Sequence, residues 1–230
     1  MTHLEHEIKS LREELIDMWA LVVSQLTKAH LSLITYDLDL AREVIINEKR
    51  VDAMELKIDI DCENIIALYN PVAIDLRFVL ATLKINNNLE RTGDIAASIA
   101  KLAVQSENAI DTDLLDISEM NIMFEEAISM LKDLQQYFET EEPKLVRKIF
   151  ARDELLDDIN KKITSRMAEY IKTHPDKIEQ ALNILSSVRK IERVGDQTTN
   201  IAEETIFFIE AKVLKHKGKK KFKEQKEIDE

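Results

Sequence analysis

Apolar residues recur at spacings of three and four along most of the chain. Leu4, Ile8, Leu11, Leu15, Met18, Val22 and Leu26 form one stripe, the pattern of a helix that buries a single face in a bundle. Thr35-Tyr36-Asp37 interrupts it and offers a capping side chain. A second helix is predicted from about residue 39 to residue 69, with Ala41, Val44, Ile45, Val51, Ile58, Cys62 and Ile65 facing inward. Asn70-Pro71 ends it, because a residue that precedes proline avoids the helical region. A third helix starts near Val72 and carries Leu76, Leu80 and Leu83 inward. After a polar connection over residues 107–113, a fourth helix carries Ile117, Met120, Phe124, Ile128, Leu131 and Leu134. Asp111, Thr112 and Asp113 are its capping candidates. Pro143 suits the first position of a fifth helix, which ends near Thr173-His174-Pro175, and a sixth runs from Ile178, Leu182 and Leu185 to Phe207-Phe208.

The pattern repeats. Glu90-Arg91-Thr92-Gly93-Asp94 returns as Glu192-Arg193-Val194-Gly195-Asp196, and Leu76, Leu80 and Leu83 return as Ile178, Leu182 and Leu185, all at an offset of about 102. Leu40-Ala41-Arg42 maps onto Leu145-Val146-Arg147 at an offset of about 105. The slip of three falls near the turns between helices, where changes in length are tolerated. The chain is therefore read as all-α, a tandem repeat of a three-helix unit. The expected boundaries are 1–107 and 112–214 for the two repeats, followed by a basic, disordered tail over 215–230.

Composition narrows the picture. Only three Gly and three Pro among 230 residues exclude a turn-rich β protein. A single cysteine, Cys62, excludes an intrachain disulfide framework and suits a reducing compartment; it reads as a small core residue. No window nears the roughly 18 apolar residues of a membrane span, and the polar N-terminus lacks an apolar signal core. A cytoplasmic location without membrane insertion is the expectation. A net charge of −12 disfavours nucleic acid as a partner.

Candidate chemistry lies in the acids. Each repeated pentad sets two carboxylates four residues apart, on one helical face. Glu48 with Asp52 and Asp153 with Asp157 share that spacing. If helices two and three fold back about Pro71, Glu48 meets Asp94 and Asp52 meets Glu90. Folding back about His174-Pro175 brings Asp153 opposite Asp196 and Asp157 opposite Glu192. Each like-charged pair at about 6 Å costs roughly 3 kcal/mol at an effective dielectric of about 20, so two quartets need cations or raised pKa values. Arg50, Arg91, Arg152 and Arg193 could serve through salt bridges. They sit one or two residues from the acids, however, and project about 100° or more away around the helix. Bound metal is the sharper reading, and all-oxygen ligands suit Mg, Ca, Mn or iron. The scattered histidines lack a Glu-x-x-His arrangement, which disfavours a ferritin-like redox centre, and no glycine-rich phosphate loop is present. Trp19 reads as packing or a dimer contact.

At these pentads the sequence resembles the PhoU family, regulators of bacterial phosphate uptake whose marker is a repeated Glu/Asp-x-x-x-Asp motif. The run Asn70-Pro71-Val72-Ala73-Ile74-Asp75-Leu76-Arg77-Phe78 and the segment Asn200-Ile201-Ala202-Glu203-Glu204 look like the family's own stretches, and the likeness spans roughly residues 5 to 212. The resemblance implies two antiparallel three-helix bundles with pseudo-twofold symmetry and multinuclear iron or zinc sites on one face. It also implies two partners, the ATPase subunit of the phosphate transporter and a phosphate-sensing histidine kinase; a homodimer is a separate expectation. Ser98 stands where the second copy has Asn200, which leaves the first site weaker or differently completed. The expected function is negative regulation of phosphate transport and of the phosphate-starvation response, without enzymatic activity. The alternatives are a carboxylate-bridged metal hydrolase or oxidase, and a purely structural bundle.

Overall fold

The computed structural model describes residues 2–213, apart from the side chains of 143–145 and 147, so the basic tail expected over 215–230 lies outside the described residues. Among the described residues, seven α-helices follow one another: α1 (His3–Thr35), α2 (Leu38–Tyr69), α3 (Ala73–Gln105), α4 (Thr112–Ser118), α5 (Met120–Thr140), α6 (Pro143–Thr173) and α7 (Ile178–Glu210). Helices α1, α2 and α3 pack as one antiparallel bundle, and α5, α6 and α7 as a second. Local chemistry sets the ends. Asp37 accepts hydrogen bonds from the amides of Asp39 and Leu40, at 3.1 and 2.9 Å, and Asp111 accepts from Asp113 at 3.0 Å, so both satisfy first-turn donors. Tyr36 and Asn70 turn the chain in the left-handed region, at φ 55° and 48°.

The predicted fourth helix is two helices. Glu119 breaks it at φ 54°, because Arg166 from α6 holds the Glu119 carboxylate at 2.7 Å and donates to the Ile117 carbonyl at 3.1 Å. A side chain 47 residues away fixes this break, and helical periodicity carries no trace of it.

The inward face of α3 also differs from expectation. Its buried side chains include Phe78, Val79, Thr82, Ile85, Asn86 and Leu89, whereas Leu80 is 39% exposed. Ile178 and Leu182 on α7 are 49% and 53% exposed. The reason is the position of α3, which packs against α1, α2 and α7 at once. Burial from several sides leaves Leu80 at the outer edge while Leu83 packs partly buried against the core, and the acids that continue this stripe emerge beside it.

Contacts between α3 and α7 and between α1 and α5 join the two bundles. Trp19 is fully buried and donates from Nε1 to the Leu131 carbonyl at 3.1 Å. The Arg12 guanidinium lies 4.9, 5.1 and 5.3 Å from the rings of Phe78, Phe138 and Phe208, so one α1 cation binds aromatic faces from three other helices. Lys84 bridges to the buried Glu204 of α7 at 2.9 Å. Cys62 is buried, and burial pushes its thiol up to about 12, which leaves it a packing residue.

Candidate metal centre

Antiparallel packing of α2 on α3 puts the first pentad against the acidic face of α2. A Cβ on Gly93 would lie 3.1 Å from Cγ1 of Val51, so the bare glycine permits a close approach of the two helices. Beside this contact, Asp52, Glu90 and Asp94 each offer a carboxylate oxygen, and the three oxygens lie within 4.8 Å of one another. Glu90 is half-buried while Asp52 and Asp94 are exposed, so the group opens to solvent. Burial, reinforced by the charges of Asp94, Glu55 and Asp52, pushes the Glu90 carboxyl up to about 7. Like-charged neighbours therefore add to burial in disfavouring the ionised form of Glu90. A hard cation is the species that such an oxygen group accepts.

Glu48 lies one turn away, and its carboxylate accepts hydrogen bonds from Lys101 at 3.0 and 3.1 Å. It is the member of the first quartet that already has a cation of its own. The sequence reading missed two acids: Glu55 and Asp59 extend the stripe of Glu48 and Asp52 at helical spacing. Asn86 of α3 donates to the Glu55 carbonyl and to Asp59 Oδ1, at 2.9 Å each. Burial first, then Asp59 and Asp52, raises the Glu55 carboxyl as well. The three-and-four spacing of 48, 52, 55 and 59 was the signal that could have found them.

The second quartet sits at equivalent positions in different surroundings. Asp153 is fully buried, and a Cβ on Gly195 would lie 2.7 Å from both Asp153 Oδ1 and Leu156 Cδ1. Leu156 is the repeat equivalent of Val51, so both glycines serve the same helix contact. Asp157, Glu192 and Asp196 are half-buried, and each of the four acids has hydrogen-bonding or electrostatic neighbours. Among the described residues, the group that brings three ligand oxygens within 4.8 Å is the first one. The α2 acids Glu55 and Asp59 are replaced by Asn160 and Thr164 at the equivalent positions on α6.

Among the described residues, the candidate arginines form no ion pair within 4.0 Å with the eight acids. Arg152 engages Glu126 at 3.3 Å and Asp133 at 2.7 Å on α5. Among the described residues, no acid is paired within 4.0 Å with Arg50, Arg91 or Arg193.

Fold and site together define a class: an all-helical protein of two tandem three-helix repeats, each carrying the same acidic motif. The PhoU domain matches the chain twice, over residues 15–103 and 120–205, and the chain belongs to the PhoU family. It is 33% identical to the phosphate-specific transport system accessory protein PhoU homolog 1 of Thermotoga maritima over 214 residues, covering 93% of this chain and 91% of that one. It is 31% identical to the phosphate-specific transport system accessory protein PhoU of Escherichia coli K12, covering 92% and 87%. The crystal structure of PhoU from Pseudomonas aeruginosa superposes with a TM-score of 0.85 at 28% identity, covering 91% of this chain and all of that one.

Proposed function

We propose that the chain is a non-enzymatic, metal-binding accessory protein of phosphate uptake, which represses transport and the phosphate-starvation response when phosphate is plentiful. The observation that carries this reading is the convergence of Asp52, Glu90 and Asp94 in a chain of this family. These three residues would hold the ion, with Glu48 beside them. By the repeat, Asp153, Asp157, Glu192 and Asp196 are the ligands of a second site. The ion, iron or zinc by resemblance and Mn, Mg or Ca by donor chemistry, would add positive charge to the group of Asp52, Glu90 and Asp94.

The partners of this reading are the transporter ATPase subunit and the phosphate-sensing histidine kinase, met in the cytoplasm by a homodimer. No helix among the described residues is long and apolar enough to cross a membrane. Leu56, Ile60 and Leu68 are exposed along α2 and supply apolar surface for protein contacts. Among the described residues, no histidine joins the acid group.

Complementation tests the proposal. In a bacterium lacking its own member of the family, the chain restores repression of a phosphate-starvation reporter in high phosphate, and the Glu90→Gln, Asp94→Asn double variant does not. Full repression by the double variant would refute the role of the acids. Phosphatase turnover by the metal-loaded protein, lost in Glu90→Gln, would replace the regulator with a hydrolase.

A further inference from the structure

A cleft of about 630 Å³ opens where α3 and α7 meet, lined by four cationic side chains, Arg91, Lys101, Lys190 and Arg193, against two acids, Glu48 and Asp94. This excess of positive charge stands out in a chain of net charge −12. Lys101 is bound to Glu48 at 3.0 Å. Arg91, Lys190 and Arg193 form no ion pair within 4.0 Å among the described residues. Arg91 and Arg193 hold the same place in the two pentads, so each repeat contributes one guanidinium and the cleft lies where the repeats face each other.

We propose that this cleft binds a small anion bearing more than one phosphoryl group. Guanidinium groups donate in a planar fork that matches phosphate oxygens two at a time. Two such forks, Arg91 on α3 with Lys101 and Arg193 on α7 with Lys190, suit a ligand with several anionic oxygens. Size argues against orthophosphate alone, since the volume falls within the range of about 300–1,000 Å³ typical of sites for whole small molecules. Ser98 and Gln197, also in the lining, add neutral hydrogen-bonding groups. Asp94 and Glu48 are shared with the acidic quartet, but the four cationic side chains that carry this proposal are not among its proposed ligands, so the site stands whether or not that reading does.

Calorimetric titration of the full chain tests this, with pyrophosphate in one arm, ATP in a second, and orthophosphate and sulfate as comparison anions, each with and without chelator. Saturable binding of pyrophosphate or ATP is expected, weakened about tenfold or more in Arg91→Gln and in Arg193→Gln, unchanged in Arg50→Gln, and retained in Glu90→Gln. ATP binding at least tenfold tighter than pyrophosphate assigns the remaining space to a nucleoside; equal affinities assign the site to the phosphoryl groups alone. Both glutamine substitutions fall at exposed arginines, and circular dichroism verifies that the variants fold. Absence of saturable binding, or affinity that neither arginine substitution lowers, would overturn the proposal and leave the cleft to an acidic protein segment. So would binding that disappears in Glu90→Gln but survives in the arginine variants, which would place the anion on a metal ion. Metal content measured on the same samples keeps failure of the cleft separate from failure of the metal site.

Discussion

Glu90 shares its surroundings with other carboxylates. It is half-buried among Asp52, Glu55 and Asp94, and its carboxyl holds a proton up to about pH 7. The unfolded chain releases that proton near the usual value of 4.5. Between those values the folded state binds more protons than the unfolded one, so folding stability falls as pH rises through the window and stays lower above it. In metal-free protein, Glu90→Gln removes this loss. The variant is expected to match the parent at pH 5 and to exceed it at pH 8 by on the order of 1 kcal/mol, after discounting for solvent screening. Urea unfolding at the two pH values measures the difference; a variant that loses as much stability as the parent would show that the acids are already neutralised.

At the scale of helices, the two glycines carry the packing of each pentad on its neighbour, but with unequal clearance. Alanine at position 93 meets Cγ1 of the buried Val51 at 3.1 Å, a contact that asks Val51 to give by only a few tenths of an ångström. A gain in helix propensity of up to about 1 kcal/mol offsets the strain there, so Gly93→Ala is expected to stay within about 1 kcal/mol of the parent. Alanine at position 195 meets two buried atoms at 2.7 Å. Overpacking of that kind costs about 1–3 kcal/mol, so thermal unfolding should show Gly195→Ala as the clearly destabilised variant. Much of this was legible in the sequence: the repeated Gly, the 102-residue offset and the turns at Pro71 and Pro175 fixed the order and pairing of the helices. The inward face of α3 was not legible, because a helix buried from several sides lacks a single stripe. Nor was the break at Glu119, which depends on Arg166 from another helix.

For the molecule as a whole, duplication gives matched scaffolds and unmatched sites. Arg12 among Phe78, Phe138 and Phe208 ties four helices of the two bundles together, and Lys84–Glu204 closes the seam between α3 and α7. Spacing alone placed all eight acids at equivalent positions, and it could not tell that Glu48 would turn to Lys101 or that Asp153 would lie buried behind Gly195. Those outcomes depend on long side chains and on burial. Glu55 and Asp59 strengthen the acidity of the first site, so that site should bind the more tightly held ion. The most direct measurement is the metal content of purified full-length protein by elemental analysis, compared between two triple variants. Asp52→Asn/Glu90→Gln/Asp94→Asn should lose about one equivalent or more of bound ion per chain, a larger loss than that of Asp157→Asn/Glu192→Gln/Asp196→Asn, as carboxylate ligands set the affinity. A first-site variant that retains the parent's full metal content, or a parent that purifies and reconstitutes without any, would contradict the account.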